Sequence, residues 1–221
     1  MSGDYKLIIA DSIKYLGGLR DHTIPCVVTG LPDIEELKLK SVDQYLQWFQ
    51  SAAKLIFQKT SIDGYVFFIQ TDRKIEGAWI DKSYYLTKVA DNNGWRLMWH
   101  KLCLNRPVGS ANLHRPTYSH ILCYSINGRP GNGLPDVVEA EKTDRIYENS
   151  TPLVALDLVM KFLDEKRNKL PKSFDYQIVD PFVGRGSVIY MSLEYGFRSL
   201  GIDIDKQQIE YARTLLDGHT R

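Results

Sequence analysis

The chain predicts an α/β fold, a sheet of seven strands, mostly parallel, covered by helices on both faces. Three observations predict it. Apolar runs of strand length alternate with amphipathic stretches of helix length along all 221 residues. One of those runs, Ile24–Thr29, is apolar almost throughout, as a strand buried on both faces must be. A glycine-containing turn, Gly184-Arg185-Gly186, lies between a predicted strand and a predicted helix, the place where α/β sheets bind ligands.

The elements follow in order. Lys6–Ala10 is a short apolar strand and Ile24–Thr29 a central one. A helix over Val42–Phe57 begins at a capping-box pattern, Ser41 with Gln44, and puts Leu46, Phe49, Ala53 and Ile56 on one face. After the turn at Asp63-Gly64 comes the strand Tyr65–Gln70. Asp81 caps a helix running to Asn92, with Gly94 just past its end. Trp95–Leu104 and His120–Ser125 are two more strands. Ile126–Tyr147, rich in glycine, proline and charge, reads as a loop insertion. Thr151 caps the next helix, with Pro152 at its first position. The strand Tyr176–Asp180, the helix Val188–Tyr195, the strand Ser199–Asp203 and the helix Lys206–Leu216 complete the pattern. The length suits one domain over residues 1–221 and is short for two.

Composition narrows the function. A formal net charge of +1 excludes the global positive field of a stand-alone nucleic-acid binder and leaves room for a local patch or a basic partner. No apolar run approaches the ~20 residues of a membrane span. The opening residues have no signal-peptide pattern, and Cys26, Cys103 and Cys123 sit in apolar runs as free thiols, so an intracellular site, cytoplasmic or nuclear, is expected. Their spacing fits no zinc pattern, and no metal is expected.

The chemistry concentrates in Val179-Asp180-Pro181-Phe182-Val183-Gly184-Arg185-Gly186-Ser187. Gly184 and Gly186 permit a sharp turn and close approach of a ligand, and the following helix offers free N–H groups to an anionic group. The glycine pair alone also fits an ordinary βα turn. Asp203, at the end of the next strand and about 20 residues on, is the type of carboxylate that accepts hydrogen bonds from ribose hydroxyls.

Asp-Pro-Phe-x-Gly-x-Gly-Ser over Asp180–Ser187 resembles the cofactor loop of the circularly permuted amino-methyltransferases of nucleic acids, typified by adenine-N6 and cytosine-N4 DNA methyltransferases. In that family the catalytic half precedes the cofactor loop. The resemblance covers nearly the whole chain, from the opening KLIIADSIKYLGGL through PCVVTGLPD and DGYVFFIQ to the Thr151-Pro152 helix start. It implies a Rossmann-like methyltransferase sheet and S-adenosyl-L-methionine as cofactor. The implied cofactor residues are Asp11 and Ser12 near the adenine, then Asp180, Phe182, Gly184, Gly186, Ser187, Asp203 and Ile204.

The resemblance also implies an acceptor site at Thr29, Gly30, Pro32 and Asp33. The family has [Asp/Asn/Ser]-Pro-Pro-aromatic there, the polar residue accepting from the exocyclic amine and the ring stacking on a flipped base. Here Gly30 has no side chain and Asp33 no ring, so the motif is degenerate. Asp33 has two readings, a residue that orients the nucleophile or an N-cap ahead of Ile34-Glu35-Glu36. Either base stacking passes to Trp99, Tyr118 or a partner's residue, or the base is not flipped. Lys101, Arg106, His114 and Arg115 are the candidate nucleic-acid contacts, against a solvated loop with Trp99 in the core. The 126–147 segment stands where relatives carry a target-recognition region and is too short to be one. Either weak sequence reading by this chain alone, or help from a homodimer or a protein partner, is therefore expected. The expected function is methylation of a DNA or RNA base. The alternatives are an inactive or partner-dependent methyltransferase-like subunit that binds cofactor or a partner chain, and a methyltransferase of a protein or small molecule.

Overall fold

A computed structural model describes residues 4–75, 77–131, 133–141, 143–147 and 150–219. Its strands are β1 Tyr5–Ile9, β2 Ile24–Thr29, β3 Thr60–Gln70, β4 Arg73–Ile75, β5 Ala78–Ile80, β6 Arg96–Leu104, β7 Tyr118–Ser125, β8 Val137–Glu139, β9 Ile178–Asp180 and β10 Ser199–Asp203. Eight of them form the main sheet, in the order β1-β10-β9-β2-β3-β7-β6-β8. The other two, β4 and β5, pair as a separate hairpin. The first five strands of the sheet order run parallel, and β7 is antiparallel to both of its neighbours, β3 and β6.

The helices are α1 Ser12–Gly17, α2 Ile34–Leu37, α3 Val42–Lys59, α4 Lys82–Asn92, α5 Leu153–Lys166, α6 Ser187–Glu194 and α7 Lys206–His219. On one face of the sheet, Leu16 of α1, Phe49 and Phe57 of α3 and Leu86 of α4 pack on Val27, Phe68, Leu122 and Tyr124. On the other, Leu156 and Phe162 of α5 and Met191 of α6 pack on Val28, Phe67, Ile121 and Cys123. Every residue of β2 is buried, as expected of a strand between two helical layers. The three cysteines are free and buried.

The main sheet has eight strands where the sequence predicts seven, and β8 is one the sequence pattern does not show. It lies inside the 126–147 segment, parallel to β6 through Leu102↔Val137 and Cys103↔Val138. Three residues amid glycine, proline and charge carry too little alternation to register as a strand. The hairpin of β4 and β5, equally short, escapes the pattern for the same reason. The expected Thr151 cap is also corrected. Pro152 occupies the N-cap position of α5 with no side-chain cap, and the Leu153 N–H donates instead to the Asp144 carbonyl at 2.6 Å. At α3 the Ser41 hydroxyl does accept from the Gln44 N–H, but the Gln44 side chain accepts from the Lys40 N–H rather than from Ser41. Among the described residues, no helix is long and apolar enough to cross a membrane.

Candidate functional site

The carboxyl ends of β9 and β2 are neighbours, joined by the register Val27↔Val179. The chain leaves β9 through α6 toward β10 on one side, and leaves β2 through α2 and α3 toward β3 on the other. Connections that part in this way open a crevice at the sheet edge, the usual ligand site of an open α/β sheet.

Asp180, the last residue of β9, is buried at that crevice. Its Oδ1 accepts from the Thr29 hydroxyl at 2.7 Å and from the Phe182 N–H at 3.1 Å. Burial pushes the carboxyl up to about 7, although the Thr29 and Phe182 hydrogen bonds pull the other way. Val183 is tied back to β10 by its N–H to the Ile202 carbonyl at 2.9 Å. Gly184 and Gly186 both have positive φ, 50° and 90°. A Cβ on Gly184 would meet nothing, so the turn leaves open space there, whereas one on Gly186 would lie 3.0 Å from the Ala212 Cβ. The Gly184 N–H donates to Asp203 Oδ2 at 2.9 Å, and the Asp205 N–H to Asp203 Oδ1 at 2.9 Å. Ser187 opens α6, whose first-turn N–H groups have no intrahelical acceptors.

The β1 end closes the same crevice. Asp11 caps α1 through Ile13 and Lys14, and the buried Ser12 hydroxyl donates to the Pro181 carbonyl. Phe182 packs edge-on against Trp48 of α3 at 5.8 Å. Ile204 is 70% exposed beside Asp203, an uncovered apolar surface at the edge of the loop. The structure therefore brings Asp11, Ser12, Thr29, Asp180, Phe182, Gly184, Gly186, Ser187, Asp203 and Ile204 to one end of the sheet.

Gly30, Pro32 and Asp33 continue from Thr29. A Cβ on Gly30 would come 3.0 Å from the Ile69 carbonyl, and the Gln70 side chain donates to the Leu31 carbonyl at 3.1 Å, so β3 grips this loop closely. The Tyr45 hydroxyl donates to the Pro32 carbonyl at 3.3 Å. Asp33 is the N-cap residue of α2, and its N–H donates to the Glu36 carboxylate. Its own carboxylate carries two ion pairs, one oxygen to Lys82 and the other to Arg115 at 2.9 Å. Lys82 is 2% exposed. Burial lowers its pKa, and Asp33 opposes that shift.

The four basic candidates separate. The Lys101 ammonium is buried against Asp136 at 2.8 Å and the Leu134 carbonyl at 3.0 Å, where it fastens the approach to β8. Arg106, His114 and Arg115 lie exposed on the loop between β6 and β7. Trp99 packs among Phe67 and Phe162 on the α5 face, and Tyr118 lies edge-on to His120. Sequence reasoning missed Lys82, the buried partner of Asp33, because a lysine at the start of a helix gives no sign of burial. It also missed a group formed by Asp72, Asp81 and His120, the residues among those described whose ligand atoms come within 4.8 Å of one another. Asp72 already accepts from His120, Trp79 and the Lys82 N–H, and Asp81 caps α4, so protein donors engage both carboxylates.

Nearly the whole chain superposes on solved structures described as DNA methyltransferases or modification methylases. TTHA0409 of Thermus thermophilus, a candidate DNA modification methylase, matches with a TM-score of 0.71 and 13% identity over 97% of this chain and 94% of its own. The same protein complexed with S-adenosyl-L-methionine matches at 0.69 and 14%, over 97% of this chain and 95% of its own. PvuII DNA methyltransferase, cytosine-N4-specific, matches at 0.68 and 15%, over 96% of this chain and 86% of its own. At such identities the likeness establishes the fold. No family model matches the chain. No curated protein matches it in sequence.

Proposed function

We propose that the chain is an S-adenosyl-L-methionine-dependent methyltransferase acting on an exocyclic amine of a DNA or RNA base, with its cofactor loop C-terminal to its acceptor loop in the permuted order. The observation that carries the reading is the Thr29–Asp180 hydrogen bond, which joins the two loops across the crevice. When bound by Gly184–Ser187 and Asp203, the cofactor would supply an electrophilic methyl group to the amine and leave as S-adenosylhomocysteine, with the amine proton passing to solvent.

The residues fit that cofactor. The open space over Gly184 accommodates the methionine portion, and the α6 N-terminus at Gly186 and Ser187 suits its carboxylate. Asp203, already oriented by two backbone N–H groups, has acceptor capacity for ribose hydroxyls. Ile204, Phe182, Ser12 and Asp11 would border the adenine. With no side chain on Gly30, and with the Leu31 and Pro32 carbonyls already accepting from Gln70 and Tyr45, the backbone carbonyls of Thr29 and Gly30 are the acceptors for the amine. Their positioning against the donor supplies most of the catalysis. Arg106, His114 and Arg115 face the nucleic acid.

A second reading, a subunit that binds cofactor and needs a protein partner for turnover, is favoured by the ion pairs that already engage Asp33. Methyl transfer from labelled cofactor to genomic DNA, total RNA and protein extract tests both. Label in DNA or RNA supports the first. A protein that binds cofactor yet labels none of the three supports the second. Label in protein alone rejects the nucleic-acid acceptor.

A further inference from the structure

We infer that Arg115 supplies the planar surface on which the acceptor base stacks, and that Asp33 is the positioning residue that holds it there. The inference rests on the nucleic-acid reading above. It concerns a residue in the loop before β7, more than 80 positions along the chain from the acceptor loop it completes.

Asp33 is only 13% exposed and sits between two cations. One of them, Lys82, is buried, with its ammonium 5.9 Å from the centre of the buried Tyr45 ring, so it fixes Asp33 from below. The other, Arg115, is 47% exposed and holds the second oxygen of the same carboxylate. The Asp33 carboxylate is thus clamped from two sides. It is well suited to orient a guanidinium. The backbone beneath Arg115 is fixed as well. The N–H groups of His114 and Arg115 both donate to the Asn112 side chain. Lys74 of the hairpin binds the Asn112 carbonyl with its side chain and the His114 carbonyl with its N–H, each at 3.0 Å. A long arginine side chain ordinarily loses rotamer freedom when it binds; here much of that freedom is already gone.

Of the nearby rings, Trp79 of the hairpin is 47% exposed but has the Lys74 ammonium over it at 5.0 Å and its indole N–H tied to Asp72, and the others are covered. Trp99 is enclosed by Phe67 and Phe162 on the opposite face of the sheet, Tyr45 is fully buried, and the Tyr118 ring is engaged with His120. A guanidinium is planar and delocalised and stacks on nucleobases, which a lysine ammonium does not do. The same chain already uses arginine planes against rings, as Arg167 does over Phe197 at 3.9 Å.

The test measures binding of short oligo-dA and oligo-dC single strands, by fluorescence anisotropy with S-adenosylhomocysteine present, for wild type, Arg115→Ala, Arg115→Lys and Arg115→Trp. Thermal denaturation and S-adenosylhomocysteine affinity serve as controls for folding and for the cofactor site. Stacking predicts that Arg115→Ala and Arg115→Lys both weaken binding by about tenfold, while Arg115→Trp stays within about threefold of wild type. It further predicts that Asp33→Asn weakens binding in wild type and has a smaller effect in the R115W background. Retention by Arg115→Lys with loss in Arg115→Trp would make the residue a phosphate contact and overturn the inference. A wild type that binds S-adenosylhomocysteine but neither strand would overturn the stacking inference, and the absence of label in both DNA and RNA would overturn the nucleic-acid reading along with it. Wild-type binding that all three Arg115 variants retain would overturn the stacking role alone.

Discussion

The Gly184 N–H donates to the Asp203 carboxylate at 2.9 Å, binding the cofactor loop to the end of the neighbouring strand across 19 positions of chain. This contact leaves Asp203 half exposed and aimed at the turn, with lone pairs still available. Asp203→Ala is expected to weaken S-adenosylmethionine binding by about 1.5–3 kcal/mol, the range for hydrogen bonds to a charged acceptor. Isothermal titration calorimetry measures it. Unchanged affinity would move the ribose away from Asp203.

The two glycines of the turn should respond differently to a methyl group. Gly186 combines a φ of 90° with a Cβ position 3.0 Å from Ala212, so Gly186→Ala is expected to lower stability by at least about 1–2 kcal/mol, the cost of the left-handed conformation alone. Gly184→Ala has open space and incurs only the backbone cost. Its methyl group would occupy the space assigned to the cofactor. Chemical denaturation should therefore rank Gly186→Ala as the less stable variant, and calorimetry should show cofactor affinity reduced in Gly184→Ala even where it remains folded.

Asp180 makes stability depend on pH. Its carboxyl has an ordinary value of 3.8 when unfolded and about 7 when folded, so the folded state binds the proton more tightly between those values. Stability contributed at this position is then lost as pH rises from about 4 to about 7, and is constant outside that window. Asp180→Asn removes the dependence. Denaturation from pH 4 to 8 should show the stability of Asp180→Asn gaining on wild type through that window. Thr29→Val deletes a hydrogen bond that favours the ionised form and should move the upper limit higher. A difference that stays flat with pH would contradict the burial of this carboxyl.

Lys82 and Asp33 form an ion pair with side-chain exposures of 2% and 13%. Removing one member of a buried pair typically costs about 3–5 kcal/mol. Lys82→Met is expected near the low end, about 3 kcal/mol, because Arg115 still holds the second oxygen of Asp33. Urea denaturation of Lys82→Met measures it. A loss below about 1 kcal/mol would mean the pair is far more hydrated than its burial implies.

The parts of this molecule that the sequence reveals are those whose physics is local. The apolar run Ile24–Thr29, the stripe on α3, and the tight turn at Gly184 and Gly186 each state their environment within a few residues. The spacing of Asp203 from the turn is likewise readable, because one helix and one strand separate them. The rest depends on distant pairing. The strand β8 exists because Leu102 and Val137 meet, and neither segment announces the other. Lys101 reads as a free cation until Asp136 is placed 2.8 Å away. Asp33 reads equally as a helix cap or a participant in chemistry, and only the approach of Lys82 and Arg115 from other elements shows what engages its carboxylate.

The central claim is that donor and acceptor meet at the crevice between β9 and β2. The position of the sulfur atom in a crystal structure with S-adenosylhomocysteine tests it most directly. The account predicts the ribose on Asp203, the amino-acid portion along Gly184–Ser187, the adenine beside Ser12, and the sulfur facing the loop from Thr29 to Asp33. A cofactor bound elsewhere, or one whose sulfur faces away from Thr29 with the acceptor loop sealed off, would contradict it.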